Sequence, residues 1–183
     1  LAVLLIKSFS LLKEYEKKDF VGQVRSPPGE FVSVGSTSIL NFLAKGYIVV
    51  SDCDMPIVKL KNEASSESND NFIPQLISNA EAIIDYLKSR GLTDGTKIAV
   101  GGHSYGAFMV VNLLVHTKLF TTGIARSGAY NRTLTPFGFQ HEDRFLWDAP
   151  ELYFKLSPFI HVKTIETPLL LVHGGADINP GTH

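Results

Sequence analysis

The segment KIAVGGHSYGAFM, residues 97–109, decides the fold of this chain, and we call it the elbow segment. It opens with a short apolar run at 98–100, passes through glycines, and takes on helical character from Ala107. Between these parts, residues 102–106 read GHSYG and match the G-x-S-x-G pattern of a sharp turn from a strand into a helix. Glycine suits both flanking positions, because a β-carbon at either one would clash with the neighbouring strand or helix. The segment therefore predicts a strand, a tight turn at Ser104 and a helix.

Such a turn gives Ser104 the properties of a candidate nucleophile. It exposes the serine hydroxyl, and it puts the amide of Tyr105 at a helix N-terminus, where partial positive charge stabilises an oxyanion. The alternative is a serine that only caps a helix, since the pattern also arises by chance. Adjacent residues on a sharp turn point away from each other, so we expect His103 to be a packed side chain and not the base.

Strands and helices alternate along the rest of the chain. Helix 72–87 is predicted from apolar residues that recur at spacings of one, three and four, with Pro74 in its first turn and Gly91 as its stop. Residues 59–71 are too polar to pack and predict a loop with a mobile tip. Further strands are predicted within 1–6, within 44–52, at 97–100, at 122–125 and at 168–173. The strands within 44–52 and at 168–173 are expected to be buried. This alternation predicts the α/β class, with a mostly parallel sheet and helices on both faces.

Composition excludes several functional classes. With 183 residues, 44% apolar and 19% charged, the chain has the makeup of one globular domain. Its 17 basic and 18 acidic side chains provide no cationic field for nucleic acid. The apolar start at 1–6 is too short to span a membrane. Cys53 is the only cysteine and predicts a small buried hydrophobe. No metal-ligand cluster or phosphate loop is present in the sequence, so no cofactor is expected.

Asp177 is the candidate acid of a catalytic triad, because it follows the strand at 168–173 and triads of this type run in the order Ser, Asp, His. It would hold an imidazole in one tautomer and stabilise the imidazolium. His183 is the only histidine that follows Asp177 in the sequence. Because only six residues separate the two, His183 is poorly placed to fold back between the acid and the serine as the general base. The other histidines are expected to be structural: His116, His141, His161 and His173. We therefore expect that both ends were cut from a longer protein, that the base lies beyond residue 183, and that the chain alone is inactive.

The sequence resembles the catalytic domain of the prolyl oligopeptidase family of serine peptidases, and within it the chloroplast glutamyl endopeptidases of plants. The resemblance extends from residue 22 to the end and is weaker between 54 and 69. It rests on GQVR at 22–25, the elbow segment, GIARSGAYNRTLTPFGF at 123–139, and HG at 173–174 followed by Asp177, Asn179, Pro180, Gly181 and Thr182.

This resemblance implies an α/β-hydrolase fold, with residues 1–183 forming a single partial domain that lacks its C-terminal part and an N-terminal β-propeller. It makes Ser104 the nucleophile, Asp177 the acid, and Asn179 a contact for a peptide carbonyl. Family members carry a tyrosine near the oxyanion hole, shortly before the counterpart of Gly22. Tyr15 is displaced from the position where this pattern would put that tyrosine. The second oxyanion donor is therefore unassigned.

The resemblance also implies a peptide substrate, with glutamate as the candidate residue before the cut, and a chloroplast stromal or otherwise soluble intracellular location. Recognition of glutamate needs a cation, for which Arg126, Arg132 and Arg144 are the candidates; arginine binds carboxylates bidentately. Two other functions remain open. An esterase or lipase is one, with the aromatic-rich stretch 137–147 lining an acyl pocket. The other is a noncatalytic pseudoenzyme fragment that binds peptides or a partner.

Overall fold

A computed structural model describes residues 2–6, 35–36, 38–59, 67–179 and 181. Tyr15 and His183 lie outside the described residues. The strands are β1 (Ala2–Ile6), β2 (Ile48–Cys53), β3 (Ile98–His103), β4 (Thr122–Arg126) and β5 (Leu169–Val172). The α-helices are α1 (Phe72–Ser89), α2 (Tyr105–His116) and α3 (Pro150–Lys155), and four short 3-10 helices are η1 (Ile39–Lys45), η2 (Ser68–Asn71), η3 (Arg132–Leu134) and η4 (Val162–Thr164).

The described strands form one parallel sheet in the order β2-β1-β3-β4-β5, which confirms the predicted α/β class. The chain runs from β1 outward to β2, then crosses back to β3 and continues in the opposite direction through β4 and β5. In open α/β sheets, ligands bind at the carboxyl ends of strands where the direction reverses. Here that point lies between β1 and β3, directly beside Ser104.

Helix α1 forms where the apolar spacing predicted it. It buries one face, made by Phe72, Ile73, Leu76, Ala80, Ile84 and Leu87. Pro74 lies in its first turn, where a missing N–H costs no hydrogen bond. Gly91 follows the helix with a φ of +67°, the left-handed conformation that ends helices.

Helix α2 is apolar on all sides and is buried from Tyr105 to Val115. It packs on β3 and β4 and also contacts α1, so the two long helices share one face of the sheet. The 3-10 helix η1 lies directly before β2 in the chain and contacts it. Within the described ranges, no helix is both long and apolar enough to cross a bilayer.

Two strands differ from the sequence-based prediction of full burial. Strands β2 and β5 are the outer strands of the described sheet, and Leu170, Leu171 and Val172 are exposed. An apolar run predicts a strand but does not distinguish an edge from a centre. The predicted loop at 59–71 ends in η2, where Asn69 is buried, whereas 60–66 lie outside the described residues. Cys53 is buried, as predicted.

Candidate active site

The strand-to-helix turn holds Ser104 in a strained conformation. Ser104 has φ 56° and ψ −119°, which L residues with a side chain rarely adopt. Its backbone N–H donates to the carbonyl of Arg126 at 2.9 Å, which ties the turn to the end of β4. A β-carbon at Gly102 would lie 2.3 Å from the carbonyl oxygen of Gly106, so only glycine fits there. The turn leaves the Ser104 residue exposed, as the sequence predicted.

The first turn of α2 begins at this serine. The Ser104 carbonyl accepts hydrogen bonds from the N–H groups of Ala107 at 3.0 Å and Phe108 at 3.2 Å. The Tyr105 amide directly follows Ser104, at the positive end of the helix dipole. Its phenol is packed under this turn, and burial raises the pKa of Tyr105 to about 12. The helix end can therefore offer backbone donors to negative charge that develops beside Ser104.

Asp177 lies at the same edge of the sheet. In the sheet register, His103 pairs with Arg126 and Arg126 pairs with Val172. The chain therefore leaves β3 and β5 at the same end of the sheet. The ends of these two strands lie roughly 10 Å apart, which is two strand spacings. Only 11% of the Asp177 side chain is exposed. Its Oδ1 accepts hydrogen bonds from the backbone N–H and the side-chain Nδ2 of Asn179, both at 3.0 Å. These two bonds fix the orientation of the carboxylate.

Two histidines are not where the sequence predicted. His173 was expected inside a buried strand, but it follows the last residue of β5 and is exposed, with Nε2 3.3 Å from Oδ2 of Asp177. His103 was expected to be packed, but it is also exposed, because β3 ends at the surface of the site.

A cavity of about 350 Å³ opens beside Ser104. Its lining includes Ser104, Ser127, Arg132, Phe139, Gln140 and Asn179. The stretch 137–147 contributes Phe139 to this lining, whereas its other rings, Phe137, Phe145 and Trp147, contact one another and are exposed. The described residues contain no group of three or more His, Cys, Asp or Glu side chains that could hold a metal ion.

The three candidate arginines have different surroundings. Arg126 ends β4 and is exposed. Arg144 forms ion pairs with Glu142 and Asp70. Arg132 begins η3, lines the cavity and is only 5% exposed. Among them, Arg132 alone combines burial with access to the cavity beside Ser104.

Aromatic rings surround the guanidinium of Arg132. Its Cζ lies 3.8 Å from the ring centre of Phe108, 4.9 Å from that of Phe139 and 5.4 Å from that of Tyr105. Burial lowers the pKa of Arg132 to about 10, which still leaves it charged at neutral pH. In the described part of the chain no carboxylate forms an ion pair with it, and its buried Nε has no hydrogen-bond partner. The cavity therefore contains a desolvated cation available to an anionic ligand.

A polar network lies next to this cavity, and we call it the Arg144 strap: Asn69, Asp70, Glu142 and Arg144. Arg144 donates from Nε to Oε1 of Glu142 at 2.7 Å, and from Nη2 to Oε2 of Glu142 and Oδ1 of Asp70, both at 2.8 Å. Burial raises the pKa of Glu142, but the hydrogen bonds from Arg144 outweigh it and hold that pKa below its ordinary value. The strap joins η2 to the loop after η3.

The profile described as the prolyl oligopeptidase family matches residues 69–181. The chain belongs to the prolyl oligopeptidase family. Within this family it is 53% identical over 170 residues to the probable chloroplastic glutamyl endopeptidase of Arabidopsis thaliana, and 52% identical over 170 residues to the protein of that name from Oryza sativa subsp. japonica. Both matches cover 92% of this chain but only 17% and 18% of the relatives, so the chain spans less than a fifth of their length.

A crystal structure of a putative dipeptidyl aminopeptidase IV from Bacteroides ovatus shares the fold. It aligns with a TM-score of 0.55 at 20% identity, and the alignment covers 73% of this chain and 19% of that one. As a prolyl oligopeptidase family member, the chain has the α/β-hydrolase fold that the elbow segment and the resemblance predicted.

Sequence reasoning missed two features of this family member. Ser127 has a φ of +50°, lines the cavity and donates from its backbone N–H to the Val172 carbonyl at 2.8 Å, yet no motif marks it. The Arg144 strap joins residues more than 70 positions apart in the chain. Only three-dimensional packing brings these groups together, so no local pattern could have found them.

Proposed function

We propose that this chain is one part of the catalytic domain of a serine peptidase, in which Ser104 attacks the carbonyl carbon of a peptide bond. Residues 1–183 then contribute to a single domain of a longer enzyme, as their share of the relatives' length supports. One observation carries the proposal: Ser104 has a φ of 56° between β3 and α2, at the mouth of a cavity of about 350 Å³.

The proposed reaction proceeds through an acyl-enzyme. The general base takes the Ser104 proton as Oγ bonds to the carbonyl carbon, and it gives this proton to the amine as the C–N bond breaks. Water then attacks the acyl-enzyme, its proton passes through the base to Oγ, and the acid is released. The Tyr105 amide donates to the oxyanion of each tetrahedral intermediate. Since the Ser104 turn is held by its hydrogen bond to Arg126, this donor is preorganised and does not have to move during the reaction.

Asp177 orients the general base in this proposal and stabilises the imidazolium. The serine and the acid follow strands that lie two positions apart in the sheet, and the imidazole of the base is proposed to lie between them. In the chain order of this fold the base follows the acid, and this proposal keeps the expected position of the base beyond residue 183. Asn179 lines the cavity and holds Asp177, so it is suited to contact a peptide carbonyl of the substrate as well.

The proposed cut follows a glutamate, with Arg132 as the receptor for its carboxylate. The buried guanidinium in the cavity supports this assignment, and so do the names of the two plant relatives. Arg126 is the second candidate; it is exposed, so water weakens any ion pair that it makes. The same relatives support a location in the chloroplast.

The test compares two peptides that differ only in Glu or Gln before the scissile bond, with the full-length gene product as enzyme. Ser104→Ala is expected to lower kcat/KM for both peptides roughly a thousandfold or more. Arg132→Met is expected to lower it for the Glu peptide by about 100-fold and to leave the Gln peptide nearly unchanged. Arg90→Met, a change at the exposed end of α1, is the matched control.

A fluorophosphonate that labels active serines distinguishes the outcomes. If the Arg132→Met variant is still labelled by the fluorophosphonate and still prefers the Glu peptide, Arg132 does not bind the glutamate carboxylate. A loss of preference in Arg126→Met instead assigns that role to Arg126. Full peptidase activity in Ser104→Ala would refute the proposed mechanism.

A further inference from the structure

The Arg144 strap lies beside the Arg132 cavity, and the two arginines differ in their partners. Glu142 is 3% exposed, and both of its carboxylate oxygens accept hydrogen bonds from Arg144. Arg132 has no such carboxylate among the described residues. The half-buried Arg144 is thus paired with protein carboxylates, whereas the buried Arg132 lines a cavity.

We propose that Arg144 is a positioning residue for substrate selectivity: by holding the Glu142 carboxylate, it leaves the Arg132 guanidinium unpaired for the acidic side chain of a peptide. This inference rests on the proposed cleavage after glutamate and deepens it. Glu142 is an internal carboxylate that would compete with the substrate if it were released.

A tight turn connects Glu142 to the cavity wall. The backbone N–H of Phe139 donates to the Glu142 carbonyl at 3.1 Å, and the Glu142 N–H donates to the Phe139 carbonyl at 2.8 Å. Phe139 and Gln140 line the cavity, and the Phe139 ring centre is 4.9 Å from Cζ of Arg132. Gly138 precedes the turn with a φ of +108°. The turn thus places the buried carboxylate next to the wall that contacts Arg132.

Tyr105 lies between the two charges. Its ring centre is 5.4 Å from Cζ of Arg132 and 6.4 Å from the ring centre of His141, which immediately precedes Glu142. Burial raises the pKa of Tyr105 most, and the charges of Arg132 and Glu142 shift it in opposite directions, down and up. A Glu142 carboxylate released from Arg144 would be free to turn toward the desolvated guanidinium of Arg132, and the attraction between such groups is strong in a dry site.

The strap prevents this pairing by saturating Glu142. The Glu142 carboxylate accepts two hydrogen bonds from the Arg144 guanidinium. Its Oε1 also accepts one from the backbone N–H of Arg144, at 3.1 Å. Asn69 Nδ2 donates to Oε2 at 3.3 Å and to the His141 carbonyl at 2.7 Å. Asp70 Oδ1 accepts a second hydrogen bond from Nη2 of Arg144 at 2.8 Å, the nitrogen that also donates to Oε2 of Glu142. The carboxylate thus has partners on both oxygens and points into its own network.

The experiment measures the ratio of kcat/KM for the Glu and Gln peptides in the full-length gene product. Arg144→Met is expected to lower this ratio about tenfold, because Glu142 then competes for Arg132. Adding Glu142→Gln to that variant removes the competing charge and is expected to restore the ratio. If Arg144 only stabilises the local structure, Arg144→Met lowers kcat/KM for both peptides by the same factor and leaves the ratio unchanged. This result would overturn the proposal.

Two controls keep the result interpretable. A wild-type ratio near one would refute cleavage after glutamate itself, which separates that failure from a failure of the strap. If Arg144→Met no longer labels with fluorophosphonate, Arg144→Lys takes its place, since lysine keeps the charge but loses the two-point geometry. In Arg144→Lys the ratio of kcat/KM for the Glu and Gln peptides is expected to fall by a smaller factor, and adding Glu142→Gln is expected to restore it. A ratio that does not fall, or that does not recover in the double variant, contradicts the proposal.

Discussion

A β-carbon on Gly102 would lie 2.3 Å from the carbonyl oxygen of Gly106 and 2.8 Å from the Ala107 nitrogen. Real β-carbons do not come this close to backbone atoms, so the strand and the helix meet here only because residue 102 has no side chain. The close contact brings the N-terminus of α2 against the end of β3 and so fixes the geometry of Ser104. The elbow therefore depends on packing as well as on its serine.

Gly102→Ala is expected to destabilise the fold by about 3 kcal/mol, because backbone atoms on both sides would have to move. Urea unfolding of the full-length gene product measures the change. Gly35→Ala is the control, since nothing lies within 4 Å of a β-carbon there and its φ is not positive. Equal stability of both variants would show that the turn is not tightly packed.

Ser104→Gly is expected to raise the free energy of unfolding by about 1 kcal/mol while abolishing peptidase activity. Glycine adopts the φ of 56° without strain, and the relief outweighs the added entropy of the unfolded chain. The control Ser78→Gly, at an exposed position of α1, should instead lower stability by about 1 kcal/mol. A loss of stability in Ser104→Gly would mean that the turn stores no strain.

Asp177→Asn is expected to lower kcat roughly ten-thousandfold, because the acid no longer holds the base in its working tautomer. Asn179→Ala should cost only about tenfold, since it removes the 3.0 Å side-chain bond to Asp177 but keeps the backbone bond to the same oxygen. Steady-state kinetics on the Glu peptide measures both changes, with Asn41→Ala in η1 as the control. Equal losses in the two variants would contradict the smaller contribution that we assign to Asn179.

The Arg144 strap predicts a loss of stability in acid. For both Asp70 and Glu142, burial raises the pKa, but hydrogen bonds from Arg144 lower it below the ordinary values of 3.8 and 4.5. The stability from these groups is therefore present above those values and is lost as the pH falls through the lower folded-state values. Urea unfolding should show Arg144→Met less stable than wild type near neutral pH, with the difference narrowing below about pH 4. A difference that is constant with pH would exclude this electrostatic contribution.

The sequence predicted what depends on local pattern and missed what depends on packing. The spacing of Phe72, Leu76 and Ala80 predicted α1, and the glycines around Ser104 predicted the elbow. The exposure of β5 was missed, because an apolar run such as 169–172 has the same pattern at an edge as at a centre. The three arginines could not be separated either, since burial of Arg132 is decided by rings from α2 and from the loop after η3.

The decisive experiment for the role of Ser104 identifies the serine that reacts. The full-length gene product is treated with a fluorophosphonate and digested, and the modified residue is found by mass spectrometry. We predict one adduct, on Ser104, with complete loss of peptidase activity in proportion to labelling. An adduct on Ser127, which lines the same cavity, with Ser104 unmodified, would contradict the central claim, and so would full activity after Ser104 is fully labelled.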